Sequence, residues 1–186
     1  ALAEIERAFT ELMANAGRSG HGPSLKTGRM VYETREALAE LFDVGDSRNL
    51  VFTSGATEGQ NLVVKGFLKR GGRVLVSPLE HNATMRPLSR LRQERAIDID
   101  VLPSDQWGRI DLDAVRRLVR EQPVDLVAVA HASNVNGVVQ DLAGLREALG
   151  PEPALLVDAA QTAGVLEVDV DGMGVDFLSC SAHKGL

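Results

Sequence analysis

The sequence predicts an α/β domain, a mostly parallel sheet covered by helices on both faces. Three observations lead there. From Leu50 onward, short apolar runs alternate with stretches of helical period. The runs are almost wholly apolar, as strands buried on both faces are. Polar, chemically capable side chains follow the runs, at the edge where an open parallel sheet binds ligands.

Composition agrees and excludes several classes. The chain has 186 residues, enough for one domain with a core, and is 44% hydrophobic and 25% charged. Its formal net charge is -6 without a Lys/Arg block, which argues against nucleic-acid partners. Runs such as Leu126 to Ala130 are too short for a bilayer, and no basic, then apolar, leader opens the chain, so no membrane or export role is expected. The single cysteine, Cys180, suits a reducing cytoplasm. Four histidines (21, 81, 131 and 183) and that cysteine lack metal-ligand spacing, so no metal site is expected. The chain opens inside a helical pattern and stops just after Lys184-Gly185, as a piece of a longer protein would.

Residues 1–45 read as an N-terminal helical segment with a loop, and 46–186 as a cofactor-binding domain. Leu2, Ile5, Phe9, Leu12 and Met13 share one face, predicting a helix from Ala1 to Ala16 that Gly17 ends. Arg18 to Thr27 is rich in breakers and predicts a loop, whose Arg18, His21 and Lys26 either reach a site or are simply solvated. Gly28 to Phe42 predicts a second helix, with Val31, Leu38, Leu41 and Phe42 inward.

The alternation then begins. Strands are expected at Leu50–Thr53, Arg73–Ser77, Ile97–Leu102, Leu126–Ala130, Ala154–Val157 and Val175–Ser179. Helices are expected from about Ala56 to Lys69, from the Glu80-His81-Asn82 stretch to about Arg95, and at Asp111–Glu121 and Leu142–Leu149. Asp98 and Asp100 alternate with apolar residues, which puts the Ile97–Leu102 strand near an edge.

The residues after these strands carry the chemistry. Ser54-Gly55-Ala56-Thr57 at a helix start offers N–H groups and a hydroxyl to a phosphate, or is an ordinary N-cap. Glu80-His81-Asn82 comes after the next strand, and His81 either stacks on a planar ligand or sits near a helix start. Asn134 either donates to a ligand oxygen or stabilises the Ser133–Gly137 turn. Asp158 ends an apolar run, so its carboxylate needs a cationic partner such as a protonated ring nitrogen, or it caps a helix with Gln161. Ser181, His183 and Lys184 close the chain. A lysine beside a histidine makes sense where an anion sits and the amine is wanted neutral to bond a carbonyl. Phosphate donors, a pyridinium partner, a stacking ring and a terminal lysine together describe pyridoxal 5'-phosphate.

Five stretches resemble the class V aminotransferases of the fold type I group, above all cysteine desulfurases and selenocysteine lyases. They are Phe52–Glu58, Glu80–Asn82, His131–Gly137, Val157–Gly164 and Ser181–Gly185, in family order. The resemblance implies the large domain of a fold type I transferase, incomplete. It implies that Ala56, Thr57, Ser181 and His183 hold the cofactor phosphate, that His81 stacks on the ring and that Asp158 pairs with its nitrogen. Asn134 and Gln161 would lie near the phenolic oxygen and the lysine linkage. Lys184 would bond the cofactor and, with His81, act in catalysis. The implied reaction takes sulfur from L-cysteine, or selenium from selenocysteine, leaving L-alanine and an enzyme persulfide. The nucleophilic cysteine and the substrate-carboxylate arginine would lie beyond Leu186. Cys180 is no substitute, because it sits in a strand pattern where burial makes a thiol inert. A cytoplasmic homodimer with a sulfur-acceptor protein is implied, the Arg18–Lys26 loop serving the neighbouring subunit. The chain alone is expected to turn over little. The alternatives are another class V aminotransferase, lyase or epimerase, or a non-catalytic structural module.

Overall fold

The computed structural model describes residues 2–17 and 20–186. The chain divides into two compact units, Ala1–Val51 and Phe52–Leu186. Among the described residues, no helix is long and apolar enough to cross a membrane.

The first unit holds α1 (Leu2–Glu11), α2 (Gly22–Leu41) and a short 3-10 turn at Ser47–Asn49. Both helix boundaries differ from the expectation. α1 stops at Glu11, well before Gly17. Two hydroxyls of α2 explain why: Thr27 donates to the Leu12 carbonyl at 2.7 Å and Ser24 to the Asn15 carbonyl at 2.7 Å. Those bonds hold the chain after α1 in a non-helical path. α2 begins at Gly22, so most of the expected loop is helical. His21 is its N-cap, its Nδ1 accepting the Ser24 N–H at 3.3 Å, and Pro23 sits in the first turn, where a missing N–H costs nothing. His21 is thus a cap and Lys26 a helical residue, while Arg18 lies outside the described residues. Of the expected inner face of α2, Phe42 is buried but Leu41 is exposed.

The second unit is the α/β domain. In chain order it comprises α3 (Ala56–Phe67), β1 (Arg73–Val76), α4 (Asn82–Arg95), β2 (Asp98–Val101), α5 (Leu112–Glu121), β3 (Leu126–Ala130), α6 (Leu142–Leu149), β4 (Ala154–Asp158) and β5 (Phe177–Ser179). The strands form one sheet in the order β2-β1-β3-β4-β5, and every pair is parallel. β2 is an edge strand, as its aspartates predict. Leu50–Thr53 is not a strand. Val51 and Phe52 are exposed, and the run joins the two units.

Strand periodicity sends alternate side chains to opposite faces. Val74, Val76, Leu126, Ala128 and Leu156 pack in one cluster with Val64 and Leu68 from α3 and its exit and with Leu88 and Leu91 of α4. On the other face Leu75, Val127, Val129, Leu155 and Val157 are equally buried, as are Val115 of α5 and Leu142, Leu145 and Leu149 of α6. The sheet therefore carries helices on both faces, and its C-terminal edge is left for polar groups.

Candidate active site

Asp158 is the last residue of β4. In register it stands between Ala130 of β3 and Ser179 of β5, and it is half-buried. Its Oδ1 accepts the Ala160 N–H at 2.9 Å. The chain after it runs through successive turns rather than a helix, so the capping-box alternative does not form, and Gln161 is exposed in those turns. β5 ends at Ser179, whose carbonyl accepts the Ala159 N–H at 2.8 Å. Beyond it Ser181 is buried, while His183 and Lys184 are exposed in a turn where the Lys184 N–H donates to the Ser181 carbonyl at 3.3 Å.

Two glycines press this turn against the one after β4. A Cβ on Gly164, which has φ +76°, would lie 2.2 Å from the Gly185 carbonyl oxygen, and one on Gly185 would lie 2.3 Å from that of Ala163. Only glycine permits that approach, and it holds the residue after Lys184 against the Asp158 turn.

The N-terminus of α3 meets the same place. Its N-cap is Gly55, with no side-chain cap, so Ser54 is not the ordinary N-cap that the sequence allows. Instead the buried Ala56 donates its N–H to Ser181 Oγ at 3.3 Å, and Thr57 stands exposed beside it. Ala56, Thr57 and Ser181 are thus brought together, next to the strand ends that carry Asp158 and lead to Lys184. His81 is exposed at the N-cap of α4, its Nδ1 accepting the Ala83 N–H at 3.1 Å. The neutral ring therefore carries its proton on Nε2. Asn134 is exposed, and the bonds of its turn are made by Ser133, which accepts from Gly137 and Val135. His81, Asn134, Gln161 and His183 come after four different strands at this edge and share no hydrogen bond with the Ala56–Ser181 group.

Beneath these residues runs a buried polar network. Gln60 of α3 donates to Ser179 Oγ at 3.0 Å and accepts from Thr84 Oγ1 of α4 at 3.0 Å. Glu80 Oε1 accepts from the Ser77 hydroxyl at 2.6 Å and from the Ala130 N–H. Burial pushes the Glu80 carboxyl up to about 7, and the Asp158 charge adds to the rise. His131 is buried against Thr162 at 2.9 Å, and that burial pulls its pKa down. The Cys180 thiol is raised by burial first and by Asp158 second, as expected of an inert thiol, although Cys180 lies one residue past β5. A signal for the network lay in the helix stripes. Gln60 shares its stripe with Ala56 and Val64, and Thr84 with Leu88 and Leu91, where a polar residue needs a partner.

The donor set suits both an anion and a cation. Ser181, Thr57 and the uncapped start of α3 suit a phosphate-like group. Asp158, half-buried, suits a cationic ring nitrogen, and Lys184 is exposed at the rim.

Comparison with known proteins identifies the family and the fold. The model of the family "Aminotransferase class-V" matches residues 1–186. The cysteine desulfurase IscS 1 of Archaeoglobus fulgidus is 36% identical over 179 residues, which is 94% of this chain and 46% of that protein. The cysteine desulfurase IscS of Vibrio atlanticus is 37% identical over 175 residues, 91% of this chain and 43% of that protein. The chain spans about half the length of the curated relatives it matches. Among solved structures, the apo cysteine desulfurase of Thermococcus onnurineus NA1 superposes with a TM-score of 0.90 at 30% identity, covering 99% of this chain and 46% of that one. With its motifs, its parallel sheet and a family model that matches it from end to end, the chain belongs to the class V aminotransferase family.

Proposed function

We propose that the protein containing this chain is a pyridoxal 5'-phosphate-dependent cysteine desulfurase, which takes sulfur from L-cysteine to give L-alanine and an enzyme persulfide. The observation that carries the reading is the meeting of Ser181 with the N-terminus of α3, beside the strand end of Asp158 and the turn of Lys184. The names of the relatives support the choice of reaction, since the matches are to cysteine desulfurases.

Each residue then has a defined task. Ala56 N–H, Thr57 and Ser181 bind the phosphate, with His183 at its rim. Asp158 places a carboxylate where a ring nitrogen stays protonated. The exposed ring of His81 offers a flat surface beside it. Asn134 and Gln161 supply amide donors to the ring oxygen and the lysine linkage. Lys184 would hold the cofactor at its aldehyde and would move a proton at the substrate Cα. When bound, the cofactor would supply an electron sink. A homodimer in the cytoplasm, passing sulfur to an acceptor protein, completes the proposal.

The test uses the full-length protein with added pyridoxal phosphate. A visible absorption band is expected, and Lys184→Ala removes it. Alanine should form from cysteine in amounts matching the sulfide released under reductant. A full-length protein with no band overturns the cofactor assignment. A band without alanine leaves the cofactor and removes the desulfurase reaction.

A further inference from the structure

The carboxyl of Glu80 stands where the sheet parts. β1 pairs with β2 on one side and β3 on the other, so the strand order reverses direction at the β1–β3 pair. Such a switch point leaves a crevice at the carboxyl ends of the strands. The last ladder bond there runs from the Ser77 N–H to the Ala128 carbonyl at 3.0 Å. β1 then ends, and the Ala130 N–H of β3 has no β1 carbonyl to meet. Glu80 Oε1 accepts it instead, together with the Ser77 hydroxyl. The Thr84 hydroxyl faces the same carboxyl, but its proton goes to Gln60 Oε1.

The second oxygen, Oε2, is buried without a hydrogen-bond partner. A charged oxygen left so costs far more than a neutral one. Ala130 is in register with Asp158, whose charge also bears on Glu80. Two carboxylates that share a site do not both ionise readily. The other ionisable groups nearby are turned elsewhere, His81 to the Ala83 N–H and His131 to Thr162. From α3, the neutral Gln60 accepts the Thr84 hydroxyl. Asp158 is the charged group that faces Glu80 among the described residues.

We propose that Glu80 is a positioning residue that acts as the neutral acid: it stands in for the absent strand partner at the switch point, ties the His81 turn to β3, and leaves Asp158 the negative charge beside it. The functional meaning rests on the reading of Asp158 as the partner of a ring nitrogen. A neutral Glu80 puts no second anion beside Asp158 to compete for the same cation.

Infrared spectroscopy of the cofactor-free full-length protein tests it. The carbonyl stretch of a buried carboxylic acid is expected, absent from Glu80→Gln, and titrating near pH 7. The folded acid sits above its unfolded value of about 4.5, so wild-type stability is full below that pH and falls as pH rises to about 7. The unfolding constant should rise on the order of 100-fold across that window in wild type, and Glu80→Gln should lack that rise. No acid band at about pH 6, or a pH slope unchanged in Glu80→Gln, overturns the proposal. Should Glu80→Gln fail to fold, carbon-13 labelling of the glutamate side chains in wild type replaces it: a shifted acid band persisting to about pH 6 supports the proposal, and its absence overturns it. None of these readouts needs the cofactor. If the acid titrates and the visible band of the loaded protein is missing, the cofactor reading falls alone. If the band is present and the acid is not, this inference falls alone.

Discussion

One oxygen of Asp158 is committed to the Ala160 N–H, and the carboxylate stands between two strand ends. Asparagine can keep that bond through its own Oδ1, so Asp158→Asn removes the charge and little else. Catalysis is then expected to fall on the order of 100-fold or more, because the lost interaction is electrostatic and aimed at developing charge. Pyridoxal phosphate should still bind within about tenfold, since the phosphate contacts are untouched. Steady-state kinetics and an absorbance titration separate the two, and wild-type rates in the variant would remove the electron-sink role. Asp158 was legible from sequence because a carboxylate ending an apolar run is out of place. Glu80 was visible as polar but not as buried. Only the register of β1 against β3 shows that its side chain fills a gap in the ladder.

At the level of elements, apolar period found every helix and strand of the second unit. It failed where a run had length but no neighbour, as at Leu50–Thr53, which has no ladder. It also failed where tertiary bonds overrode local pattern, as where Thr27 and Ser24 take the carbonyls after α1. The Gly164–Gly185 contact was likewise illegible, because two glycines twenty-one positions apart carry no sign that their backbones touch. That contact holds the residue after Lys184. Gly185→Ala would drive a Cβ against the Ala163 carbonyl, and Gly164→Ala adds a left-handed φ costing about 1–2 kcal/mol. Both variants should lose most of the visible band of the cofactor-loaded protein. Gly71→Ala is the control, since it has φ +73° and nothing within 4 Å of its Cβ. It should lose about 1–2 kcal/mol of stability and keep the band. A full band in Gly185→Ala would mean that the turn adjusts freely and that the glycines do not place the lysine.

Across the whole second unit, the two ends of the sheet use polar side chains differently. At the carboxyl ends His81, Asn134, His183 and Lys184 stay exposed above a buried network; at the amino ends polar side chains bind the strands to one another. Asp125 accepts the Arg73 N–H at 2.8 Å. Arg146 of α6 donates to the carbonyls of Gly174, Gly150 and Pro153, and to Asp176, which also accepts the Leu155 N–H. One guanidinium thus anchors α6, the start of β4 and the start of β5. The Arg146–Asp176 ion pair is half exposed on the aspartate side and contributes under about 1 kcal/mol. The carbonyls matter more, because several lose their donor at once when Arg146 is cut back. Arg146→Ala is expected to cost about 2–3 kcal/mol, read as a lower denaturant midpoint at unchanged slope. β5 is only three residues long and leads directly to Ser181 and Lys184. Freeing its start should therefore weaken cofactor binding severalfold, although Arg146 lies at the opposite end of the strand from the site. Arg146→Lys should recover little of this, because one ammonium cannot reproduce a planar fork meeting four acceptors. If Arg146→Ala lowers stability and leaves cofactor affinity at the wild-type value, β5 is held by the sheet core alone, and the amino-end anchors have no part in shaping the site.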